Sequence, residues 1–371
     1  MTRPKILWDA RKARDFGIGT YVVGLLSALA ASDTFELTAL VRPADEELFP
    51  PSVRTISSHA RHYSLGELVS VRLAIARLTP DLFHAPHYVV PLFPPGRTVV
   101  TIHDLMHLTR PEHASLAKRA YARVMLRRAV ACAARVIVGS ESTRSELLAF
   151  DPAAATKTTL IPYGLDEKFR QPVPPAEAVR VRERFALRSP FLLFLGNDKP
   201  HKNLEGLLAA FASHRERDAG TTHHLVLAGG AEERRGDRLA RIEAHRLEGL
   251  VHDLGVVPSG DIVPLVSEAS ALVLPSFSEG FGLPVLEAQS LGTPVLCSDR
   301  GGLKEAAGDA ALVIDPEHLA DLAAGITRIL TDAPLREELS RKGRLHASAY
   351  GWGAAAERTA AVYRDLLERR S

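Results

Sequence analysis

The stretch LVLPSFSEGFGLPVLEAQSLGTPVLCSD, residues 272–299, contains the signals of a strand, a loop, a helix and a second strand in succession. Its first residues are apolar and predict the end of a buried strand, and the glycines after them mark a loop. Pro284 suits the first turn of a helix, where its missing N–H costs nothing, and Gly292 followed by Pro294 ends that helix. The stretch therefore predicts one β-α-β unit of a parallel sheet.

The same alternation of strand and helix continues in both directions along the chain. Several of the strands are continuous apolar runs, which is typical of buried parallel strands. The proline-rich segment 171–180 interrupts the alternation and predicts a stiff linker that excludes helix and central strand. The sequence predicts an α/β fold of two Rossmann-like, doubly wound parallel-sheet domains, 1–170 and 171–352, facing a central cleft. The predicted strands are 5–9, 35–41, 53–57, 81–85, 98–104, 135–140 and 158–164, then 191–197, 223–230, 252–257, 269–276, 293–299 and 310–315.

The composition excludes several classes of protein. A chain of 371 residues with 46% hydrophobic and 24% charged residues is long enough for two globular cores and does not predict extended disorder. Its apolar runs are shorter than the roughly 18–20 residues of a membrane span, and no signal-peptide core is present, so we expect a cytoplasmic protein. Cys132 and Cys297 lie in apolar runs and predict buried free thiols rather than a disulfide or metal pair.

Ligands bind doubly wound sheets beyond the carboxyl ends of the strands, which points to the segment EGFGLPVLE at 279–287. Gly280 and Gly282 let backbone amides approach a ligand, and the helix that follows presents free N–H groups and its dipole to an anion. We predict a phosphate site here, with Glu279 in the loop and Glu287 in the first helical turn as acceptors for sugar hydroxyls. Each glutamate alone is also compatible with a solvated loop residue or with a simple dipole interaction.

Three further junctions between strand and helix carry candidate residues. FLGNDKPHKNL places Gly196 and Asn197 at the end of a strand and Lys202 at the start of a helix, where a lysine reaches phosphates as a point charge. VTIHDL places His103 at the end of a buried strand, and DFGIGTY places glycines before a helix, although their spacing fails the dinucleotide-binding fingerprint. Each motif alone is compatible with a solvated lysine, a structural histidine or a plain loop.

Together these motifs resemble the signature of glycosyltransferase family 4, retaining enzymes of the GT-B architecture in which seven residues separate two glutamates. The resemblance extends over nearly the whole chain and implies that a final helix, about 353–371, crosses back onto the first domain. It is carried by DFGIGTYVVGLL (15–26), VTIHDLMHLTRPE (100–112), IPYGLD (161–166), FLGNDKPHKNL (194–204), LVLAGG (225–230) and the run from EGFGLPVLE to AGDAALVIDP (279–316).

The resemblance implies a role for each candidate. Glu279 and His103 would contact the transferred sugar, Glu287 the nucleotide ribose, and Lys202 the diphosphate together with backbone amides. Related enzymes commonly use an arginine and a lysine for the diphosphate. Asn197 stands where many have arginine, which leaves Lys199 as the candidate second charge. The predicted donor-binding set is Gly196, Asn197, Lys199, Lys202, Gly280, Phe281, Gly282, Leu283 and Glu287, and the predicted acceptor or phosphate loop is Gly17, Ile18 and Gly19.

The reaction implied is transfer of a hexose from a nucleoside-diphosphate sugar to a glycan or lipid-linked acceptor, in the biosynthesis of a cell-surface polysaccharide or glycoconjugate. The forms DAR…GIGTY and GNDKPHKNL resemble mannosyltransferase-type members, which favours GDP-mannose. No DxD motif occurs in the sequence, so we expect no metal requirement and no cofactor. A GT-B epimerase or phosphorylase, or a non-catalytic sugar-nucleotide-binding subunit, are the alternatives.

One predicted helix, 116–136, is strongly basic. Arg119, Arg123 and Arg127 recur every four residues and therefore line one face. Two interpretations stay open, a solvated basic face and a contact with a membrane surface or a lipid pyrophosphate. We expect no nucleic-acid partner and a cytoplasmic location with peripheral contact at the inner face of the membrane.

Overall fold

The computed structural model describes residues 3–15, 17–59, 65–110, 115–218, 220 and 222–369. The chain divides into two compact units, Met1–Gly164 with Tyr350–Ser371, and Leu165–Ala349. Each unit is built around one parallel sheet. The last helix of the chain belongs to the first unit, and the second unit begins before the proline-rich segment.

The first unit contains a seven-stranded sheet of order β3-β2-β1-β4-β5-β6-β7, in which all neighbouring strands run parallel. Its central strands are fully buried, as continuous apolar runs require. The strands are β1 (Lys5–Asp9), β2 (Glu36–Val41), β3 (Arg54–Ser57), β4 (Leu82–Ala85), β5 (Thr98–Ile102), β6 (Arg135–Val138) and β7 (Thr158–Leu160). The helices are α1 (Ile18–Ala31), α2 (Leu65–Leu78), α3 (Met106–Thr109), α4 (Leu116–Cys132), α5 (Glu141–Phe150) and, from the end of the chain, α14 (Trp352–Glu368).

The second unit contains a six-stranded parallel sheet of order β10-β9-β8-β11-β12-β13. The strands are β8 (Phe191–Leu195), β9 (His224–Ala228), β10 (Val251–Asp253), β11 (Ala271–Leu274), β12 (Val295–Ser298) and β13 (Leu312–Ile314). The helices are α6 (Pro175–Arg184), α7 (Leu204–Arg217), α8 (Arg235–Ala244), α9 (Ser259–Glu268), α10 (Leu283–Leu291), α11 (Leu303–Ala307), α12 (Leu319–Thr331) and α13 (Ala333–Ser348).

The strand order reverses once in each sheet, between β1 and β4 and between β8 and β11. At such a switch point the loops after two neighbouring strands leave toward opposite faces of the sheet, which opens a crevice for ligands. The predicted fold of two doubly wound parallel sheets is confirmed, and all thirteen predicted strands are present. Most end earlier than predicted, because glycine, proline and polar residues at their carboxyl ends already belong to the loops.

Two predictions about helices need correction. The segment 171–180 does not exclude helix, because α6 begins at Pro175 with Pro174 in the capping position. Proline at the first helical position loses no hydrogen bond, so only the residues before it are extended. The basic helix does not reach residue 136, because it ends at Cys132 and Arg135 already begins β6.

The α14 helix packs into the core of the first unit. Trp352 lies against two glycines, Gly24 of α1 and Gly164 after β7, where a Cβ would be 2.3 Å from Trp352 atoms in each case. The Tyr363 hydroxyl is 2.5 Å from His84 Nδ1, and His84 Nε2 is 2.8 Å from Thr101 Oγ1. Burial lowers the pKa of His84, so this network is uncharged. Among the described residues, no helix has the length and apolar character that crossing a membrane requires.

Candidate active site

The segment EGFG, residues 279–282 and called the EGFG loop below, lies between β11 and α10 at the second switch point. Gly282 caps α10 with φ 106°, a left-handed conformation that favours glycine, and a Cβ there would lie 2.9 Å from the Leu303 side chain. No side chain caps this helix. Pro284 has no N–H and Val285 N–H donates to the Gly282 carbonyl oxygen at 3.0 Å, so the first helical N–H left for an anion is that of Leu283. Pro284 lies in the first turn and Gly292 ends the helix, as predicted.

The Glu279 carboxylate is held inside the second unit. Its Oε1 accepts a hydrogen bond from Lys202 Nζ at 2.5 Å and one from Ser276 Oγ at 2.8 Å. Burial would raise the pKa of Glu279, but the Lys202 ammonium and these hydrogen bonds outweigh it, so the pKa lies below its usual value. Glu279 is therefore an ionised and oriented acceptor, not a solvated loop residue.

Lys202 reaches Glu279 because the loops after β8 and β11 meet at the switch point. The lysine ends a short 3-10 turn, Pro200–Lys202, and Asn203 follows in the left-handed conformation and caps α7 through Gly206 N–H. Gly196 lies beside the lysine stem, since a Cβ there would be 3.6 Å from Lys202 Cε. The structure thus brings together Gly196, Lys202 and Glu279, which the sequence placed in separate motifs.

Two glycines that the sequence analysis missed support the EGFG loop. Gly301 and Gly302 follow β12, and Gly302 N–H donates to the Glu279 carbonyl oxygen at 2.8 Å. A Cβ on Gly301 would lie 2.3 Å from that oxygen, and a Cβ on Gly302 would lie 2.5 Å from the Gly280 carbonyl oxygen. The adjacent glycines at a strand end were a usable signal, because close backbone approach is a common reason for glycine.

Glu287 lies in the second turn of α10, not in the first as predicted, because the helix begins at Leu283. Burial raises the pKa of Glu287 to about 7, with a lowering influence from Lys168 and a raising one from Asp166. No hydrogen bond to its carboxylate comes from any described residue. A half-buried carboxylate without a hydrogen-bond partner from the described residues can, when ionised, accept hydrogen bonds from the hydroxyls of a ligand.

The loop after β8 also contains the predicted donor-binding residues Asn197 and Lys199. Asn197 Oδ1 accepts a hydrogen bond from Lys199 N–H at 3.3 Å, so Asn197 shapes the turn, and the Lys199 side chain is exposed. A cation that the sequence analysis missed is Arg238 of α8, which is 2% exposed. Arg238 donates to Asp253 at 3.1 Å and to the Ala231 carbonyl oxygen at 2.7 Å. It therefore ties the loop after β9 to the end of β10.

In the first unit, His103 follows β5 and is fixed through both ring nitrogens. Nε2 donates to the Pro86 carbonyl oxygen at 2.7 Å, so Nδ1 accepts from the Tyr163 hydroxyl at 2.5 Å. Burial lowers the pKa of His103 to about 4, and the ring is neutral near pH 7. His103 is therefore an oriented, uncharged group, and its contact with the transferred sugar stays a prediction.

The first switch point holds a buried charge cluster, which we call the Arg11 cluster (Asp9, Arg11, Glu67 and His87). Arg11 Nη2 donates to Asp9 Oδ2 at 2.6 Å and to Glu67 Oε1 at 2.9 Å. Burial would raise the pKa of Asp9, but Arg11 and His87 bring it well below its usual value. Asp9, Glu67 and His87 lie close enough to ligate a metal ion, but the Arg11 guanidinium already donates to both carboxylates and offsets one of their two charges. The arrangement fits an ion network better than a metal centre.

The predicted acceptor or phosphate loop follows β1. Gly17 has φ 68° and precedes α1, which begins at the half-buried Ile18. Gly19 packs against the preceding turn, since a Cβ there would lie 2.3 Å from the Ala13 carbonyl oxygen. Both glycines are thus required by the backbone, and the contact of this loop with substrate stays a prediction. Phe16, in the same motif, and residues 111–112, at the end of the motif around His103, lie outside the described residues.

The second half of the chain, residues 176–346, matches the family model of glycosyl transferases group 1, and residues 17–169 match that of glycosyltransferase family 4. The chain is 33% identical over 291 residues to O-antigen chain mannosyltransferase B of Escherichia coli, covering 77% of this chain and 74% of the relative. It belongs to glycosyltransferase family 4. Membership of the family places a transferase activity on this chain.

Two solved structures resemble this glycosyltransferase over nearly its whole length. Sucrose-phosphate synthase from Thermosynechococcus elongatus superposes with a TM-score of 0.82 at 25% identity, covering 100% of both chains. Anabaena HepE in complex with UDP-glucose superposes with a TM-score of 0.76 at 20% identity, covering 97% of this chain and 99% of HepE. Together with the two parallel sheets, these similarities establish the GT-B fold. A further relative, D-inositol 3-phosphate glycosyltransferase of Kribbella flavida, is 29% identical over 95% of this chain and 91% of its own length.

Proposed function

We propose that this glycosyltransferase transfers mannose from GDP-mannose to a glycan or lipid-linked acceptor with retention of configuration. The observation that carries the proposal is the Lys202–Glu279 pair at 2.5 Å, beside the uncapped N-terminus of α10. A cation, free backbone amides and an oriented carboxylate are the groups that a nucleoside-diphosphate sugar needs. The mannosyltransferase relative at 33% identity supports mannose as the transferred sugar.

The donor would be bound by groups with distinct tasks. Lys202 and the amides around Gly282 and Leu283 would contact the diphosphate and stabilise the charge that develops on the leaving group. Glu279 would accept hydrogen bonds from the hydroxyls of the sugar, and Glu287 from those of the ribose. Lys199 remains the proposed second cation, since its exposed ammonium has no ion pair with any described residue.

The proposed chemistry uses neither a metal nor a cofactor. The acceptor hydroxyl would attack from the face of the leaving phosphate, and a phosphate oxygen of the donor would take its proton. The protein would contribute orientation and electrostatic stabilisation rather than a nucleophile. His103 would hydrogen-bond the sugar as a neutral group, by exchanging its bond to Pro86 or Tyr163 for one to a hydroxyl.

A peripheral membrane contact is a further part of the proposal. Three apolar side chains of α4 are exposed beside its arginines: Leu116 at 79%, Tyr121 at 36% and Val124 at 58%. Exposed apolar groups next to cations suit the surface of an anionic membrane. Arg123 and Arg127 also lie within 6.0 Å of the Phe150 ring centroid, so part of the basic face packs on α5. We place the enzyme in the cytoplasm, at the inner face of the membrane.

Transfer assays with Glu279→Gln test the function. The amide keeps the size of the side chain but removes its charge, so we expect kcat/KM to fall about 100–1,000-fold while the fold is retained. Glu357→Gln, an exposed position on α14, is the matched control and keeps wild-type turnover. A donor panel of GDP-mannose, GDP-glucose, UDP-glucose and UDP-galactose identifies the sugar and base. Two results would contradict the proposal: full transfer by Glu279→Gln, or transfer from another donor of the panel and none from GDP-mannose.

A further inference from the structure

A depression of about 570 Å³, wide open to solvent, lies on the surface of the second unit, away from the EGFG loop. Ser270, directly before β11, and Gly292 and Pro294, between α10 and β12, line one side of it. The α13 helix lines the other side, and we call the space the α13 cavity. Because the strands are parallel, their amino ends lie at the sheet edge opposite to the carboxyl ends. The α13 cavity is therefore separate from the candidate donor site.

The lining is rich in guanidinium groups. Arg336, Arg341 and Arg344 all project from α13, and Glu337 is the one acidic residue among the lining residues. The hydroxyls of Ser270 and Ser340 add neutral hydrogen-bonding groups. Three cations against one anion favour an anionic ligand, and arginine in particular matches the paired oxygens of a phosphate.

Two of the arginines are held in place by the protein. Arg336 Nη1 donates to the carbonyl oxygens of Ile329 and Leu330 at 2.9 and 2.7 Å, at the end of α12. Arg344 lies directly over Gly292, where a Cβ would be 2.2 Å from its Nη2. A guanidinium has five N–H donors, so each keeps several for a ligand after these contacts. Fixing the side chains in advance reduces the entropy that binding would lose.

A basic helix face in solvent commonly carries ion pairs along the helix. On such a face, charges four residues apart commonly pair, and α13 contains one such pair, Glu338 with Lys342 at 2.8 Å. Glu337 and Arg341 have the same spacing and the same order along the helix. Yet neither forms an ion pair or a side-chain hydrogen bond with any described residue. Arg341 is exposed and interacts electrostatically with Glu338, but its guanidinium forms no direct ion pair with a described residue and can turn toward the α13 cavity.

We propose that the α13 cavity binds a phosphorylated carbohydrate. The phosphate contacts Arg341 and Arg344, and Glu337 accepts hydrogen bonds from the sugar hydroxyls. The depression has room for a small phosphosugar, which would stay partly exposed to solvent. This site goes beyond the proposed transfer reaction, and neither proposal depends on the other.

Calorimetric titration of the full chain tests the site, with saturating GDP present to occupy the donor site. The probes are mannose 6-phosphate, inorganic phosphate and mannose. We expect mannose 6-phosphate to bind most tightly, phosphate more weakly and mannose not at all. Arg341→Ala should weaken mannose 6-phosphate binding by about tenfold, because a charge-assisted hydrogen bond is lost. Glu337→Gln should reduce the preference for mannose 6-phosphate over inorganic phosphate.

The control is Arg188→Ala, which removes an exposed arginine elsewhere in the second unit and leaves binding unchanged. Several results would overturn the site: no binding of any phosphate, equal binding by Arg341→Ala and wild type, or a phosphate signal that disappears when GDP is added. Equal affinity for phosphate and mannose 6-phosphate would overturn the assignment to a carbohydrate. Transfer activity is measured in parallel on the same variants, and its presence or absence decides the proposed function separately.

Discussion

The two switch points have the same topology, but their charged side chains differ in how far they are exposed to solvent. In the second unit, Lys202 and Glu279 form a pair whose side chains are 14% and 15% exposed. In the first unit, the Arg11 cluster is closed, with Arg11 at 0% and Asp9 at 3%. A partly exposed pair can exchange its partners for those of a ligand, whereas a buried network cannot do so without leaving charges unsolvated. Topology therefore locates a crevice, and burial decides whether its charges serve binding or structure.

The largest effect is expected from breaking the buried network. Arg11→Met leaves the carboxylates of Asp9 and Glu67 buried without their cation, which should lower the free energy of unfolding by about 3–5 kcal/mol. Urea denaturation measures the loss. Arg144→Met is the control, because it removes an exposed arginine of α5 whose ion pair with Glu141 is also exposed and therefore contributes little. Equal losses in the two variants would show that the Arg11 cluster is not structural.

A substitution beside the EGFG loop tests whether residues at the second switch point determine the rate of transfer rather than the stability of the fold. Gly302→Ala places a methyl group 2.5 Å from the Gly280 carbonyl oxygen, so the loop must shift. A displacement of this kind can cost about 100-fold in rate, which kcat/KM would report. Gly353→Ala is the control, because a Cβ there meets nothing within 4 Å. Unchanged transfer by Gly302→Ala would mean that the loop position is not critical.

A smaller effect is expected from the titration of Glu287. Its pKa of about 7 means that the carboxylate is mostly protonated at pH 6 and mostly ionised at pH 8. Only the ionised form accepts hydrogen bonds from two ribose hydroxyls, so GDP-mannose affinity should rise with pH by up to about tenfold. Both phosphates of GDP-mannose are ionised across this range, so the ligand itself does not titrate. Glu287→Gln should flatten the profile, and an unchanged slope would remove Glu287 from the ribose site.

The strands, the EGFG loop and the α10 helix were predictable from the sequence because their signals are local. Apolar runs bounded by glycine and proline locate strands, and Gly282, Pro284 and Gly292 define α10 at both ends. Contacts between distant segments were not predictable in the same way. Neither the pairing of Arg11 with Glu67 nor the packing of Gly302 on Gly280 leaves a periodic signal, because each joins segments that are distant in sequence and meet only in the folded sheet. The prediction put Glu287 one helical turn too early, because the sequence locates a helix end only to within one or two residues.

The affinity of GDP for Lys202→Ala tests most directly whether the second switch point is the donor site. Lys202 is proposed to contact the diphosphate, and its loss should weaken GDP binding about tenfold or more in calorimetric titration. Lys118→Ala, an exposed lysine of the first unit, provides the control and should bind GDP as the wild type does. We expect weakened GDP binding in Lys202→Ala together with an unchanged circular dichroism spectrum. Wild-type GDP affinity in Lys202→Ala would contradict the assignment of the second switch point as the donor site.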